Sequence, residues 1–299
     1  MLALSALENW HIEALDIQSA YLYEKLKEEI YMKQPEGFRV LGQEHKVLCL
    51  LHALYGLKQA GLTWWETLNE SVKDLGFEHL KSNAGIFLFQ KENTSIVVAV
   101  VYVDDFLFCG PTKDLVDEVK GAFMHKWKCR DLDLAKEFLH MRIQRNGSKI
   151  LIDQCAYLEK VLERFNMTNV RSSTTPLPQG YYLLSYNGQV DLQSHFQQVI
   201  GSLLYIMLGT QPDITYAVTA LSWHVAKPSQ EHLDKALYIC QYLLGTHFYF
   251  LVFDGAFKAG LIAFTNSNWA SDPNICCSQT GWFIKLANCI FSWKLQQQQ

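Results

Sequence analysis

The chain has 299 residues, of which 49% are hydrophobic, 19% charged and 13% aromatic, and its net charge is −4 at pH 7. This composition excludes a disordered, collagen-like or low-complexity protein and is typical of globular proteins. At about 150 residues per domain, the length predicts about two domains. The charge excludes a strongly basic, histone-like binder, although a local basic stripe would be enough to bind nucleic acid.

Several features favour a soluble protein of a reducing, intracellular compartment. None of the eight cysteines forms a Cys-x-x-Cys pair, which argues against a zinc ribbon. The chain does not open with a basic, apolar leader. Its longest apolar runs, such as residues 96–103, fall far short of the ~20 residues that span a bilayer, so we expect no membrane partner.

In the first half of the chain, the apolar spacing predicts two helices and a hairpin. Residues 62–75 carry apolar side chains three and four apart, with Gly76 at a C-cap position. The β-branched run 96–103 resumes as Phe-Leu-Phe after Asp104 and Asp105, which predicts a β-hairpin with an acidic turn. Thr112 is the predicted N-cap of the second helix. The apolar face of that helix comprises Val116, Val119, Phe123 and Trp127.

The second half changes from helices to strands. A helix is predicted over 155–166, and a linker over 171–191, where serines, threonines and prolines exclude a helix. Further helices are predicted over 194–208, 213–225 and 230–244, the last ending before Gly245. Strands of a new sheet are then predicted at 248–253, 260–265, 282–286 and 289–293. The fold class expected from this order is α+β.

Asp104 and Asp105 are the first candidate site residues. A turn alone would explain them, because Asp side chains bond the backbone of turns. The bulky neighbours Tyr102 and Phe106 and the lack of a turn glycine count against that explanation. Two adjacent carboxylates repel each other, and a bound divalent cation would offset the repulsion.

Asp16 is the third candidate, at the end of an apolar stretch. By itself it could be the N-cap of a helix through Ala20 and Leu22. Together with the acidic hairpin, it suggests three carboxylates on neighbouring strand ends. Such a set can hold the two Mg²⁺ ions of a phosphoryl transfer, about 3.5–4 Å apart.

The tetrapeptide Tyr102-Val103-Asp104-Asp105 resembles the Y-x-D-D motif of reverse transcriptases. In matching order and spacing, further segments resemble the Pol polyprotein of copia-type LTR retrotransposons; they are residues 15–22, 29–38, 54–59, 173–177, 201–205 and 211–218. The resemblance runs over essentially all of residues 1–299.

The resemblance implies a right-hand polymerase palm with an antiparallel sheet and packed helices, a helical connector and a truncated RNase H-like sheet. Residues 1–170 would be the palm and the start of the thumb, without fingers. Residues 171–247 would be a linker and helical connection region. Residues 248–299 would be the truncated start of the RNase H-like domain, in which Phe283, Ile284, Ile290 and Phe291 would lack the helices that should cover them.

The implied activity is RNA-directed DNA synthesis with two Mg²⁺ ions, or Mn²⁺ in their place. Asp16, Asp104 and Asp105 would be both catalytic and metal-binding. Tyr21 would lie under the sugar of the incoming nucleotide, where its ring leaves no room for a 2′-hydroxyl. Gln59 would pack on nucleotide and template. The structural alternatives are core packing for Tyr21 and a polar helix start for Gln59.

The resemblance also implies partners and a location. The partners would be an RNA template, a DNA primer and deoxynucleoside triphosphates, together with other Pol or particle proteins. The location would be the cytoplasm, within virus-like particles. Trp64 and Trp65 fall on an apolar helix stripe, so they are expected to be core residues and not base-stacking platforms.

The sequence departs from the family pattern at both ends. The 15 residues before Asp16 contain no Lys or Arg, where the family has a basic fingers segment, and Leu62 stands where the family usually has Arg. Near the other end, Asn266 and Asn268 replace two aspartates, and only Asp272 remains nearby. An amide is a poor replacement for a carboxylate on Mg²⁺. We therefore expect impaired polymerase activity and no RNase H activity.

Two other functions stay open. A catalytically inactive transposon remnant, or a co-opted binding module, would keep the palm without catalysis. A metal-dependent phosphoesterase would need a His or Glu base near the carboxylates, and His11 and Glu13 are near Asp16 in sequence. On a strand, however, Glu13 would face away from Asp16, because the two residues are three positions apart.

Overall fold

The computed structural model describes residues 1–23, 25–91, 95–178, 190–269 and 277–298. Contacts divide the chain into two compact units, Trp10–Ala135 and Met1–Asn9 with Lys136–Gln299. The helices are α1 (Leu2–Leu7), α2 (Ala60–Asp74), α3 (Lys113–Lys126), α4 (Cys155–Arg164), α5 (Val190–Gly209), α6 (Thr215–Ser222) and α7 (Gln230–Thr246), with 3₁₀ turns at Ala20–Tyr23 and Pro212–Ile214. No helix in these described ranges is both long and apolar enough to cross a bilayer.

The strands are β1 (His11–Ile17), β2 (Lys25–Lys33), β3 (Val47–His52), β4 (Phe77–His79), β5 (Ile86–Lys91), β6 (Ser95–Tyr102), β7 (Asp105–Gly110), β8 (Cys129–Leu134), β9 (Glu137–Phe138), β10 (Met141–Asn146), β11 (Lys149–Asp153), β12 (Leu251–Asp254), β13 (Ile262–Ser267), β14 (Gln279–Leu286) and β15 (Cys289–Gln297). Helices and antiparallel sheets occur in both units. The expected α+β class is confirmed.

The unit Trp10–Ala135 is built on an antiparallel sheet with the strand order β4-β5-β6-β7-β1-β8. The hairpin predicted around the acidic pair is confirmed as β6 and β7. Val97 to Ala99 of β6 and Phe106 to Cys109 of β7 are buried in succession, which is typical of strand segments covered on both faces. A second, two-stranded sheet pairs β2 with β3.

Helices α2 and α3 confirm the two helix predictions for this unit. The Thr112 hydroxyl accepts a hydrogen bond from the backbone N–H of Leu115, as expected of an N-cap. The predicted face of α3 is buried, and Phe123 packs edge-on against Phe106 and Phe108 of β7. Of the two tryptophans expected in the core, Trp64 is buried, but Trp65 is 38% exposed and lies beside His79, so that expectation was wrong for Trp65.

The second unit contains a four-stranded sheet, β12-β11-β10-β9, and a three-stranded sheet, β13-β14-β15. Helix α1 packs on β11 and β12. Helices α4 to α7 share one apolar core. The helix predicted over 155–166 is confirmed as α4, whose apolar residues Leu158, Val161 and Leu162 are buried. Of the predicted linker, residues 171–178 contain no helix or strand, and residues 179–189 lie outside the described residues. Residues 190–191 belong to α5, so the linker ends two residues earlier than predicted.

The structure corrects four predictions in this unit. Residues 213–225 form a 3₁₀ turn followed by a shorter helix, α6, and α7 continues through Gly245 to Thr246. The strand expected at 248–253 is β12, which pairs with β11 and is not part of the new sheet. Side chains expected to lack cover on β14 and β15 are half-buried except Phe291, and the fully exposed strand is β13.

A buried ion cluster joins β1 to α3. Lys120 donates hydrogen bonds to Glu13 and to Asp131, the latter at 2.8 Å. Glu13 also bonds His11 at 2.8 Å and Lys113 at 3.2 Å. Burial by itself would raise the pKa of Glu13, but the hydrogen bonds from Lys120, His11 and Lys113 lower it to about 2. The charged pair of Glu13 and Lys120 is therefore a stabilising part of the fold.

This cluster predicts how the chain responds to loss of one partner. Lys120→Met removes the buried cation of the pair and leaves Glu13 only His11 and Lys113, so it should lower the free energy of unfolding by an amount near the lower end of about 3–5 kcal/mol. The double variant with Glu13→Met should recover most of that loss, and Lys113→Met, at an exposed position, should cost less than about 1 kcal/mol. Urea denaturation measures all three; a double variant no more stable than Lys120→Met would contradict the account.

The same pair predicts a pH dependence. The pKa of Glu13 in the folded chain lies below its unfolded value of 4.5. Its contribution to the free energy of unfolding is therefore present above pH 4.5 and disappears as the pH falls towards about 2. The double variant lacks the Glu13 carboxylate, so its free energy of unfolding should fall less than that of wild type as the pH is lowered. Denaturation curves measured between pH 7 and pH 2 provide the comparison.

Candidate active site

The acidic hairpin turn has an unusual backbone conformation. Two residues, Val103 and Asp104, join β6 to β7, and Val103 has a φ of +59°. Two-residue hairpin turns of types I′ and II′ require a positive φ at this first position. A β-branched residue in that conformation is strained by about 1–3 kcal/mol. Surrounding contacts must therefore hold the turn in place.

Helix α2 supplies one such contact. The indole N–H of Trp64 donates to the backbone oxygen of Val103 at 2.6 Å. Trp64 is only 2% exposed, and its ring packs against Trp127 with centroids 5.2 Å apart. The tryptophan is thus a core residue, as expected, but it also fixes the turn that carries Asp104. The helical spacing did not indicate this second role.

Strand pairing brings Asp16 to the hairpin. In the antiparallel pairing of β1 with β7, Asp16 lies directly opposite Asp105. Directly opposite residues of an antiparallel pair share one face of the sheet, with Cβ atoms about 4.5–5.5 Å apart. The backbone N–H of Ile17 donates to the oxygen of Asp104 at 2.9 Å. Asp16 is therefore a strand residue, and the alternative of a helix N-cap was wrong.

The carboxylates interact electrostatically. The pKa of Asp16 is raised, first by burial and then by the Asp104 carboxylate. Arg130, opposite Asp16 on β8, acts in the other direction and lowers this pKa. The net rise shows that the negative charge at Asp16 is only partly offset by Arg130. A cation bound between the carboxylates would relieve this repulsion.

The donor set fits a hard divalent cation, since Mg²⁺ and Mn²⁺ prefer carboxylate oxygens. Asp16, Asp104 and Asp105 are each partly exposed, so solvent reaches them. Across the described ranges, however, no three His, Cys, Asp or Glu side chains converge as a ready metal site. The structure therefore brings the residues together on the backbone, and their side chains would have to turn to share an ion.

Tyr21 lies next to these carboxylates. It sits on the 3₁₀ turn after β1, and its ring contacts that of Tyr55 with centroids 4.5 Å apart. The Tyr55 hydroxyl donates to Asp104 Oδ2 at 2.8 Å. Burial and the Asp104 charge raise the pKa of Tyr21, and burial and the hydrogen bond to Asp104 raise that of Tyr55 to about 12. Both phenols therefore stay protonated at neutral pH.

Gln59 precedes α2 at its N-cap position. Its backbone oxygen accepts from the backbone N–H of Thr63 at 3.1 Å, but its side chain does not cap the helix. Gln59 is therefore at the start of a helix, as the structural alternative expects, but its side chain does not bond the helix backbone. Its expected contact with nucleotide and template stays a prediction.

The two residues considered as the base of a phosphoesterase, His11 and Glu13, form hydrogen bonds elsewhere in the fold. Glu13 and His11 belong to the buried ion cluster with Lys120 on α3. Glu13 is 1% exposed and lies three residues from Asp16 along β1, on the opposite face of the strand. These contacts give the phosphoesterase hypothesis no support.

Asn266 and Asn268 lie on and just after strand β13. Asn266 lies on β13 opposite Gly281 of β14. The Asn268 amide oxygen accepts from the backbone N–H of Gln279 at 2.7 Å, which closes the end of the strand pair. The Asn268 side chain is therefore a hydrogen-bond acceptor at the end of the strand pair. Asp272 lies outside the described residues.

Comparison with known proteins identifies the family of this site. A family model described as "Reverse transcriptase (RNA-dependent DNA polymerase)" matches residues 1–179. The chain belongs to this reverse transcriptase family. The resemblance to copia-type Pol polyproteins is confirmed over the full chain.

Three relatives show the extent of this similarity. The retrovirus-related Pol polyprotein from transposon TNT 1-94 of Nicotiana tabacum is 34% identical, over all of this chain and 23% of the relative. The Pol polyprotein from transposon RE1 of Arabidopsis thaliana is 30% identical, over all of this chain and 20% of the relative. A putative transposon Ty5-1 protein of Saccharomyces cerevisiae is 27% identical, over 93% of this chain and 91% of the relative. The chain thus spans about a fifth to a quarter of the plant Pol polyproteins.

The contact between Trp64 and the turn yields a stability prediction for this member of the reverse transcriptase family. Trp64→Phe leaves the Val103 oxygen without its indole donor and should cost about 2 kcal/mol of unfolding free energy. Trp127→Phe is the matched control, because the buried Trp127 N–H has no hydrogen-bond partner within the described residues. It should cost at least about 1 kcal/mol less. Urea denaturation of both variants tests this, and equal costs would argue against the role of Trp64 in holding the turn.

Proposed function

We propose that this chain carries out RNA-directed DNA synthesis by metal-dependent nucleotidyl transfer, with Asp16, Asp104 and Asp105 as its catalytic, metal-binding carboxylates. The observation that supports this proposal best is the register of β1 and β7. It sets Asp16 opposite Asp105, with Asp104 in the adjoining turn. Burial, and after it the Asp104 carboxylate, raises the pKa of Asp16, and a bound cation would oppose both effects.

Each residue has a distinct part in the proposed reaction. The three carboxylates would hold two Mg²⁺ ions, or Mn²⁺. The chemistry supplied there by the bound metal is a lower pKa for the primer 3′-hydroxyl and neutralisation of the triphosphate charge. Tyr21 would orient the sugar and exclude a 2′-hydroxyl. Gln59, at the start of α2, would pack on the nucleotide and template. Positioning and electrostatics account for most of the rate.

The same proposal covers the organisation of the chain. Residues 1–170 would be the palm and the start of the thumb, 171–247 the helical connection region, and 248–299 an RNase H-like start. The partners would be an RNA template, a DNA primer and deoxynucleoside triphosphates. We also propose that the RNase H-like part does not cleave RNA, because Asn266 and Asn268 stand where the family has aspartates.

Slow turnover is a further part of the proposal. Leu62, where the resemblance expects Arg, lies on α2 and is 63% exposed. A basic side chain there would be free to reach the phosphates of a nucleic acid, and leucine cannot supply that charge. Leu62→Arg should therefore speed DNA synthesis at low salt.

Primer extension on an RNA template by the purified full chain tests the activity. We expect slow extension that depends on Mg²⁺ or Mn²⁺ and falls at least about 100-fold in Asp104→Asn and in Asp16→Asn, because each variant removes a charge that binds metal. Asp114→Asn, on the first turn of α3, is the matched control and should keep the wild-type rate. A label on the RNA strand should show that it stays intact.

Two outcomes would count against the proposal. Extension that survives Asp104→Asn would place the activity elsewhere. A wild-type chain without any extension, together with retained binding of the primed template, would favour the inactive remnant or binding module instead.

A further inference from the structure

Tyr55 contacts both Asp104 and Tyr21. Its hydroxyl donates to Asp104 Oδ2 at 2.8 Å. Its ring packs on Tyr21, with centroids 4.5 Å apart and ring planes inclined by 54°. One phenol thus contacts both the residue expected under the sugar and a carboxylate expected to bind metal.

A turn outside the six-stranded sheet aims this side chain. The backbone N–H of Leu57 donates to the oxygen of Leu54 at 3.3 Å, so Tyr55 and Gly56 are the two central residues. Gly56 has a φ of +96°, which the third position of a type II turn requires and which glycine adopts without strain. Tyr55 therefore reaches Asp104 from a separate segment of the chain.

The hydrogen bond leaves room for a cation. An ionised carboxylate has about four acceptor positions on its two oxygens, and the Tyr55 hydroxyl uses one of them. Hydrogen bonds of this kind fix the orientation of metal-binding carboxylates, and removing them typically weakens metal affinity about 10–100-fold. Among the described residues no three such side chains converge on one point, so Asp104, held by Tyr55, would be the fixed ligand towards which Asp16 and Asp105 turn.

We propose that Tyr55 is a positioning residue of the metal centre, whose hydroxyl orients Asp104 for a divalent cation while its ring supports Tyr21. The inference rests on the proposed function for the identity of the centre. It adds a residue that links metal binding to nucleotide placement. The two contacts are separable, because Tyr55→Phe removes the hydroxyl and keeps the ring, whereas Tyr55→Leu removes both.

Mn²⁺ binding to the full chain, measured from the free ion by electron paramagnetic resonance without nucleotide, is the direct test. Tyr55→Phe should weaken binding about tenfold, near the lower end of the usual range because Tyr55 is 55% exposed. Tyr31→Phe is the matched control, since it removes an exposed hydroxyl that donates to Glu29, and should bind within twofold of wild type. Asp104→Asn should abolish the binding that Tyr55 affects.

A loss of threefold or more in Tyr55→Phe supports the proposal. A smaller loss, or tighter binding, overturns it, as does a wild-type chain without Mn²⁺ binding that depends on Asp104. This readout does not require DNA synthesis. If the Mn²⁺ pattern holds but the wild-type chain extends no primer, the proposed function fails and the positioning role stands. If the wild-type chain extends a primer but Tyr55→Phe binds Mn²⁺ as tightly as wild type does, the proposed function stands and the positioning role fails.

Kinetics separate positioning from a general loss of structure. In Tyr55→Phe, kcat should fall at low Mn²⁺ and recover at saturating Mn²⁺. Its KM for deoxynucleotides and its discrimination against ribonucleotides should stay within twofold of wild type, because the ring still supports Tyr21. Tyr55→Leu should lose discrimination as well. Equal effects of both variants on KM would overturn the separate role of the hydroxyl.

Discussion

The pairing register of β1 with β7 is the constraint on which the candidate site depends. It sets Asp16 opposite Asp105, and a slip of one residue would turn every side chain of β1 to the other face. Such a slip would take Leu15, which is fully buried, out of the apolar core that it shares with α3, and would break the ion pair of Glu13 with Lys120. Packing on one face and a buried charge pair therefore hold the register that aligns the carboxylates.

Close packing beside β7 reinforces that register. A Cβ on Gly110, at the end of β7, would lie only 2.9 Å from Val116 of α3 and 3.0 Å from Val97 of β6. The strand can thus approach both neighbours only with glycine at this position. At the other end of the strand, Trp64 holds the strained turn through the Val103 oxygen. The acidic pair is consequently carried by a hairpin fixed at both ends.

Much of this arrangement was predictable from local patterns, and the failures have physical causes. The β-branched run, the Thr112 cap and the spacing of the α3 face each depend on nearby residues, and each prediction is confirmed. The sheet assignment of β12 failed because strand partners are chosen over long sequence distances, here β11 about 100 residues earlier. Tyr55 and Arg130 were missed for the same reason, since a turn and a distant strand bring them to Asp104 and Asp16.

The central claim is that Asp16 and the acidic hairpin form one metal centre in this member of the reverse transcriptase family. Crystals of the full chain soaked in Mn²⁺ would test it most directly, because anomalous scattering locates the ion without any assay of activity. We predict a peak within about 2.5 Å of oxygens from both Asp16 and the hairpin carboxylates, after their side chains turn towards the ion. A peak that contacts only one of these strands, or none at saturating Mn²⁺, would contradict the account.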